Sequence, residues 1–190
     1  MSSEALLLLV LFIPFASAFF IAMNGDHPNR RGLATLLASL LLLGTVLSLL
    51  PEVLAGGRPA VNLLEFIPGL PLQLRVEPLG MTFACVAALL WPLNSIYSIG
   101  YMRGNQEHHQ TRFYVCFAIA IASAMGIAFS DNLLTLFIFY EVLTLSTYPL
   151  VTHKGNASAM QAGRIYLGIL LSTSIGLLLL AIVWTASIAG

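Results

Sequence analysis

Six stretches of this sequence are long and apolar enough to cross a lipid bilayer: 5–23, 33–54, 79–101, 113–129, 133–151 and 162–186. A spanning helix needs about 20 mostly apolar residues, and in hydrocarbon its backbone N–H and C=O groups must be paired within the segment. Runs of this length therefore predict helices. The expected fold is an all-α membrane protein with about six transmembrane helices, 1–190 forming one membrane domain. Composition agrees: only 8% of the residues are charged and the mean hydropathy is +0.91. A soluble domain carries about 25% charged residues to solvate its surface. Lys+Arg and Asp+Glu each number eight, so no net charge attracts nucleic acid.

The first run is followed by Ala16-Ser17-Ala18, which resembles a signal-peptidase site. However, the residues before it hold no Lys or Arg, and the apolar run continues through Met23. A cleaved leader has a basic start and a shorter core, so a retained helix is expected.

The connections carry most of the charge. Loops one, three and five hold Arg30, Arg31, Arg103, Arg112 and Lys154. Loops two and four hold Arg58 and Arg75 alongside Glu52, Glu65, Glu77 and Asp131. The positive-inside rule then places the odd loops in the cytoplasm and both termini outside, in the inner (plasma) membrane. A sequon at Asn156-Ala157-Ser158 falls in a cytoplasmic loop and reads as chance. In loop two, Leu72, Leu74 and Val76 alternate with Gln73, Arg75 and Glu77, after a turn signal at Pro68-Gly69. That pattern predicts a short external β-hairpin between helices two and three.

Glu141 is the residue that most demands explanation. It lies nine residues after Asn132 and ten before Val151, near the middle of its span. A central charge costs about 2.5–3.5 kcal/mol on insertion scales. Burial favours the neutral acid and a nearby cation favours the carboxylate, so a balanced site can take up and release a proton. The alternative is a Glu that locks two helices together. Arg164, a few residues inside the sixth helix, is the candidate partner. It either reaches toward Glu141 or snorkels to the interface as an anchor. Gly168, Ser172 and Gly176 continue its helix face at four-residue spacing, a small-residue stripe that permits close helix packing. Thr144 and Tyr148 share a face with Glu141 and could hydrogen-bond it, hold water, or satisfy neighbouring backbone. Pro149 and Pro92 each remove a backbone donor inside a span.

Other features read as structural. Cys85 and Cys116 sit in apolar runs without metal-ligand spacing. Glu107-His108-His109 lacks the spacing of a zinc-binding helix. Tyr97, Tyr101, Tyr114 and Trp184 fall near span ends and read as interfacial anchors. No cofactor, metal or enzymatic motif stands out.

The run from Asn132, NLLTLFIFYEVLTLSTYPLVTHKGN, with the later AGRIYLGILLSTSIG, resembles the D-type subunits of Mrp-type multisubunit Na+/H+ antiporters. It is similar more widely to the antiporter-like subunits of respiratory complex I and membrane-bound hydrogenases. Val76-Glu77-Pro78-Leu79-Gly80 and the hairpin before it resemble the same family's lead into its third helix, where an Asp is more usual than Glu77. The likeness is specific in helices five and six and looser before them. It implies that Glu141 belongs to a proton-translocating pair and that Arg164 occupies a basic position that tunes it. The pair's lysine lies on the family's seventh helix, whereas the sequence covers helices one to six of that pattern. A fragment, one half of a split gene and a short accessory subunit all remain open.

Two functions stand side by side. One is a proton-translocating antiporter-like subunit of a cation/proton antiporter or redox-linked pump. Its partners would be other membrane subunits, its cargo protons, and its candidate coupled ion Na+. The other is a non-transporting subunit that seats its neighbours.

Overall fold

The computed structural model describes residues 2–67 and 70–189. In chain order it has helix α1 (Ser3–Met23), α2 (Pro28–Leu54), strands β1 (Ala60–Ile67) and β2 (Leu70–Arg75), then α3 (Pro78–Gly104), α4 (Gln110–Ala128), α5 (Leu133–Val151) and α6 (Ala157–Thr173). A π-helical turn, Ser174–Leu179, joins α6 to α7 (Leu180–Ala189). α6, this turn and α7 form one continuous rod, so six helices are long and apolar enough to span a bilayer. The expected membrane architecture is thereby met, and the chain is an integral membrane protein.

The two largest shifts from the boundaries that hydropathy predicts are at the starts of α2 and α6. α2 begins at Pro28, five residues before the expected start, because proline suits the first helical position, where its missing N–H costs nothing. α6 begins at Ala157, where Asn156 accepts a hydrogen bond from the Ala159 N–H at 2.8 Å. Both shifts draw polar residues into helix that hydropathy alone leaves in loops.

The core lies where α1 packs against α2 and α4. Leu7 and Val10 of α1, Leu42 and Val46 of α2, and Met125 of α4 are fully buried there. α3 packs against α2 and also touches α4, bringing Ala84, Ala88 and Trp91 into the same core. α5 packs on α4, and α6 on α5. The last span is the least buried.

The hairpin is antiparallel, pairing Val61 with Leu74 and Asn62 with Gln73. Its expected turn at Pro68-Gly69 lies outside the described residues. Leu74 and Val76 are buried beneath it. β2 is stitched to the α4–α5 connection: the Arg75 N–H donates to Phe129 O at 2.7 Å and the Asp131 N–H to Gln73 O at 3.1 Å. An Arg75–Asp131 ion pair at 2.9 Å flanks them. Ser3 at the start of α1 bonds Glu52 near the end of α2. The N-terminus, loop two and loop four therefore share one face.

The odd loops meet on the opposite face. Arg103 donates to Pro28 O at 2.8 Å, and Arg112 to His153 O at 3.4 Å. Arg31 is drawn inside by the early start of α2. It is only 5% exposed and donates to Thr111 Oγ1 at 2.9 Å and Gln110 Oε1 at 2.6 Å. Its guanidinium lies 5.3 Å from the centre of the Tyr114 ring. Tyr114 is thus not a lipid-facing anchor; it is buried as the floor under a buried cation, a favourable cation–π pairing. Tyr97, Tyr101 and Trp184 are exposed, as interfacial aromatics should be.

Candidate functional site

α5 runs from a defined start. Asn132 is extended, and its side-chain oxygen accepts from the Thr135 N–H at 2.8 Å, which satisfies an otherwise unpaired donor. The same amide donates to Pro71 O at 2.8 Å, so the cap also ties the helix to the hairpin. Glu141 then sits about 13 Å into the helix, at 1.5 Å per residue.

The carboxylate is part-buried, and its Oε1 is sealed with no hydrogen-bond partner among the described residues. An unpartnered buried oxygen in a membrane helix is costly.

Toward the C-terminal end of α5 the hydroxyls line up. Thr144 is 2% exposed, and Tyr148 and Thr152 follow at four-residue steps on the adjoining face. Thr152 Oγ1 donates to Tyr148 O at 2.9 Å, which caps the helix end after Pro149. Thr147 Oγ1 bonds the Tyr166 hydroxyl of α6 at 3.1 Å. Glu141 is thus followed by hydroxyl side chains over three turns, and the column meets α6 at Tyr166. That Thr144 and Tyr148 follow Glu141 along α5 was legible from their spacing. Tyr166 was not, because its part depends on how α6 is rotated.

That rotation also decides Arg164. Gly163, the buried glycine of α6, lies tight against the end of α5: a Cβ there would lie 2.2 Å from Thr152 Cγ2. Arg164, one residue on, is exposed and takes part in no ion pair among the described residues. The Gly168, Ser172 and Gly176 stripe is exposed with it, and a Cβ on either glycine would meet nothing within 4 Å. The close packing expected of that stripe is made by Gly163 instead. By helical spacing Glu141, Thr144 and Tyr148 lie along one side of α5, whereas Arg164 is exposed on α6.

Tyr140, the residue before Glu141, and the π-helical turn of the last span border an open groove lined by Thr173, Ser174, Leu177 and Leu178, to which Glu141 does not contribute. π turns are uncommon and tend to occur at functional sites. Among the described residues no cluster of His, Cys, Asp and Glu is arranged to hold a metal ion.

Residues 130–190 match the family described as NADH:quinone oxidoreductase/Mrp antiporter, TM. Across 163 residues the chain is 26% identical to NADH-quinone oxidoreductase subunit N of Desulforudis audaxviator, covering 84% of this chain and 31% of that protein. It is 26% identical to the putative antiporter subunit mnhA2 of Staphylococcus haemolyticus, over 84% of this chain and 19% of that one. It is 28% identical to NAD(P)H-quinone oxidoreductase subunit 5 of Paulinella chromatophora, over 75% of this chain and 23% of that one. The chain therefore spans a fifth to a third of the length of these relatives. Its fold matches a chain in the structure of the membrane-bound sulfane sulfur reductase, an archaeal respiratory membrane complex. There the TM-score is 0.79 at 16% identity, over 96% of this chain and 28% of that one. Residues 130–190, which hold Glu141, are thus similar to the family described as NADH:quinone oxidoreductase/Mrp antiporter, TM, and the relatives named above are subunits of antiporters and quinone oxidoreductases.

Proposed function

We propose that this chain is a proton-translocating antiporter-like subunit, or the N-terminal part of one, in a multisubunit cation/proton antiporter or redox-linked pump. Glu141 is the proton acceptor, and Thr144 and Tyr148 relay protons to and from it. The observation that carries this reading is the sealed, unpartnered Oε1 of Glu141 at the head of the hydroxyl column. The sequence pattern around Glu141 favours a D-type Mrp subunit within the family. Protons are the cargo, with Na+ the candidate coupled ion, and other membrane subunits complete the path. The decisive experiment is ion-driven proton flux in vesicles carrying the complex, with and without the Glu141 carboxylate.

The chain sits in the plasma membrane with its N-terminus outside. The bias of Arg30, Arg31, Arg103, Arg112 and Lys154 toward one face supports this orientation. In a background without native cysteines, a single cysteine at position 155 should be labelled by an impermeant reagent only in inside-out vesicles. Labelling from the external side would reverse the orientation.

Arg164 acts on Glu141 through its charge and not through an ion pair. Arg164→Ala removes a cation that favours the carboxylate, so proton release needs a higher external pH. The flux optimum should then move upward in pH with assembly unchanged. An unaltered pH profile would assign Arg164 to interfacial anchoring alone.

A further inference from the structure

The face that carries loops one, three and five holds a titratable cluster at the foot of the α5 column. His153 follows Thr152, the residue that caps the helix. Its side chain is 13% exposed, and neither ring nitrogen has a hydrogen-bond partner among the described residues. The ring stands edge-on to Phe113 of α4, with centroids 5.7 Å apart. Nε2 lies 4.0 Å from Oε2 of Glu107, whose side chain is 28% exposed and so reaches water. Arg112 of α4 bonds the His153 carbonyl, His109 at the start of α4 acts on the ring electrostatically, and Lys154 is exposed beside it.

A buried imidazole that only filled space would be expected to commit its N–H to a carbonyl, since an unpaired buried donor is costly. This ring commits neither nitrogen. Imidazole is also the side chain whose protonation changes most readily near neutral pH. We propose that His153, with Glu107 as its link to water, is the proton-loading group of this face and supplies Glu141 along α5. The proposal rests on the role given to Glu141 above.

The transfer balances without any redox partner. Neutral His153 accepts a proton at Nε2 from the water side, where Glu107 concentrates it. The imidazolium then releases the proton on Nδ1, and a later exchange of the ring's protons with water restores the starting tautomer. The released proton passes through water and the hydroxyls of Thr152, Tyr148 and Thr144, each accepting one proton and donating one. It ends on the Glu141 carboxylate, about 18 Å from His153 along the helix. Burial, and next Arg112, hold the imidazolium below its ordinary range, with Glu107 opposing and His109 reinforcing. The ring is therefore neutral at neutral pH and free to accept.

The test measures proton flux against pH in vesicles containing the assembled complex, for wild type, His153→Ala, Glu107→Gln and Glu141→Gln. His153→Ala should lower the flux about a hundredfold, the low end of what a positioned acid–base group contributes. Millimolar imidazole added on the odd-loop side should restore it, because a diffusible base can replace the missing one. Glu107→Gln should give a smaller, several-fold loss. His153→Gln serves if the alanine variant fails to assemble; it keeps a polar side chain that cannot titrate, and the same loss is expected. Wild-type flux in both His153 variants, or a loss in an assembled complex that imidazole leaves unchanged, would overturn the loading role. If Glu141→Gln is inactive while the His153 variants are normal, only this proposal falls. If Glu141→Gln transports normally, the proposal falls together with the reading of Glu141.

Discussion

Glu141→Gln is expected to cut proton-coupled transport by at least about a hundredfold while the complex still assembles. Gln keeps the size of the side chain and the hydrogen-bonding capacity of a protonated Glu, but it cannot bind and release the proton. The exchange also removes the cost of holding a charge in the membrane, so the fold should not suffer. Oε1 is already without a partner among the described residues, so no structural hydrogen bond is lost. The measurement is ion-driven proton flux in vesicles, with assembly followed on native gels. Flux equal to wild type would make the carboxylate structural, and the chain would then be a subunit that seats its neighbours.

Gly80→Val should prevent the folded protein from accumulating. Gly80 lies in the first turn of α3, where the helix crosses the end of α4. A Cβ there would lie 2.0 Å from Ala128 O and 3.0 Å from its carbonyl carbon. These are backbone atoms and cannot rotate away. The next residue, Phe129, also accepts the Arg75 N–H, so moving α4 would pull the hairpin off the α4–α5 connection. Overpacking of this kind costs about 3 kcal/mol or more, a large share of typical stability. Size-exclusion profiles in detergent should show mostly aggregate for Gly80→Val. Gly44→Ala is the matched control, because a Cβ at Gly44 meets nothing within 4 Å. A monodisperse Gly80→Val would show that α3 and α4 are not held at this distance.

The elements that the sequence revealed are those that lipid or water alone decides. The fifth span was expected at 133–151 and forms as Leu133–Val151, bounded by the Asn132 cap and the polar residues after Val151. The strand alternation through Leu72 and Leu74 forms β2, because one side of the hairpin is buried on the bundle and the other faces solvent. Glu141 stood out for a similar reason: a carboxylate in the middle of an apolar run is conspicuous at any rotation of the helix.

What escaped the sequence depends on rotation and proximity. Arg31 reads as a loop cation, yet an early helix start carries it under Tyr114. Three regularly spaced small residues on the last span look like a packing face, yet Gly163 makes the contact and the stripe stays exposed with Arg164. The uncommitted nitrogens of His153 emerge only when loop three folds against the end of α5. Length and hydropathy by themselves determined that these segments cross a membrane, how many do so, and which one carries a carboxylate at mid-depth. Only the tertiary structure decided which face of each helix meets which neighbour. The physical reason is that lipid tails are as apolar as leucine, so hydrophobicity does not distinguish a face that packs on protein from one that faces the bilayer; close-range fit and hydrogen bonding settle that.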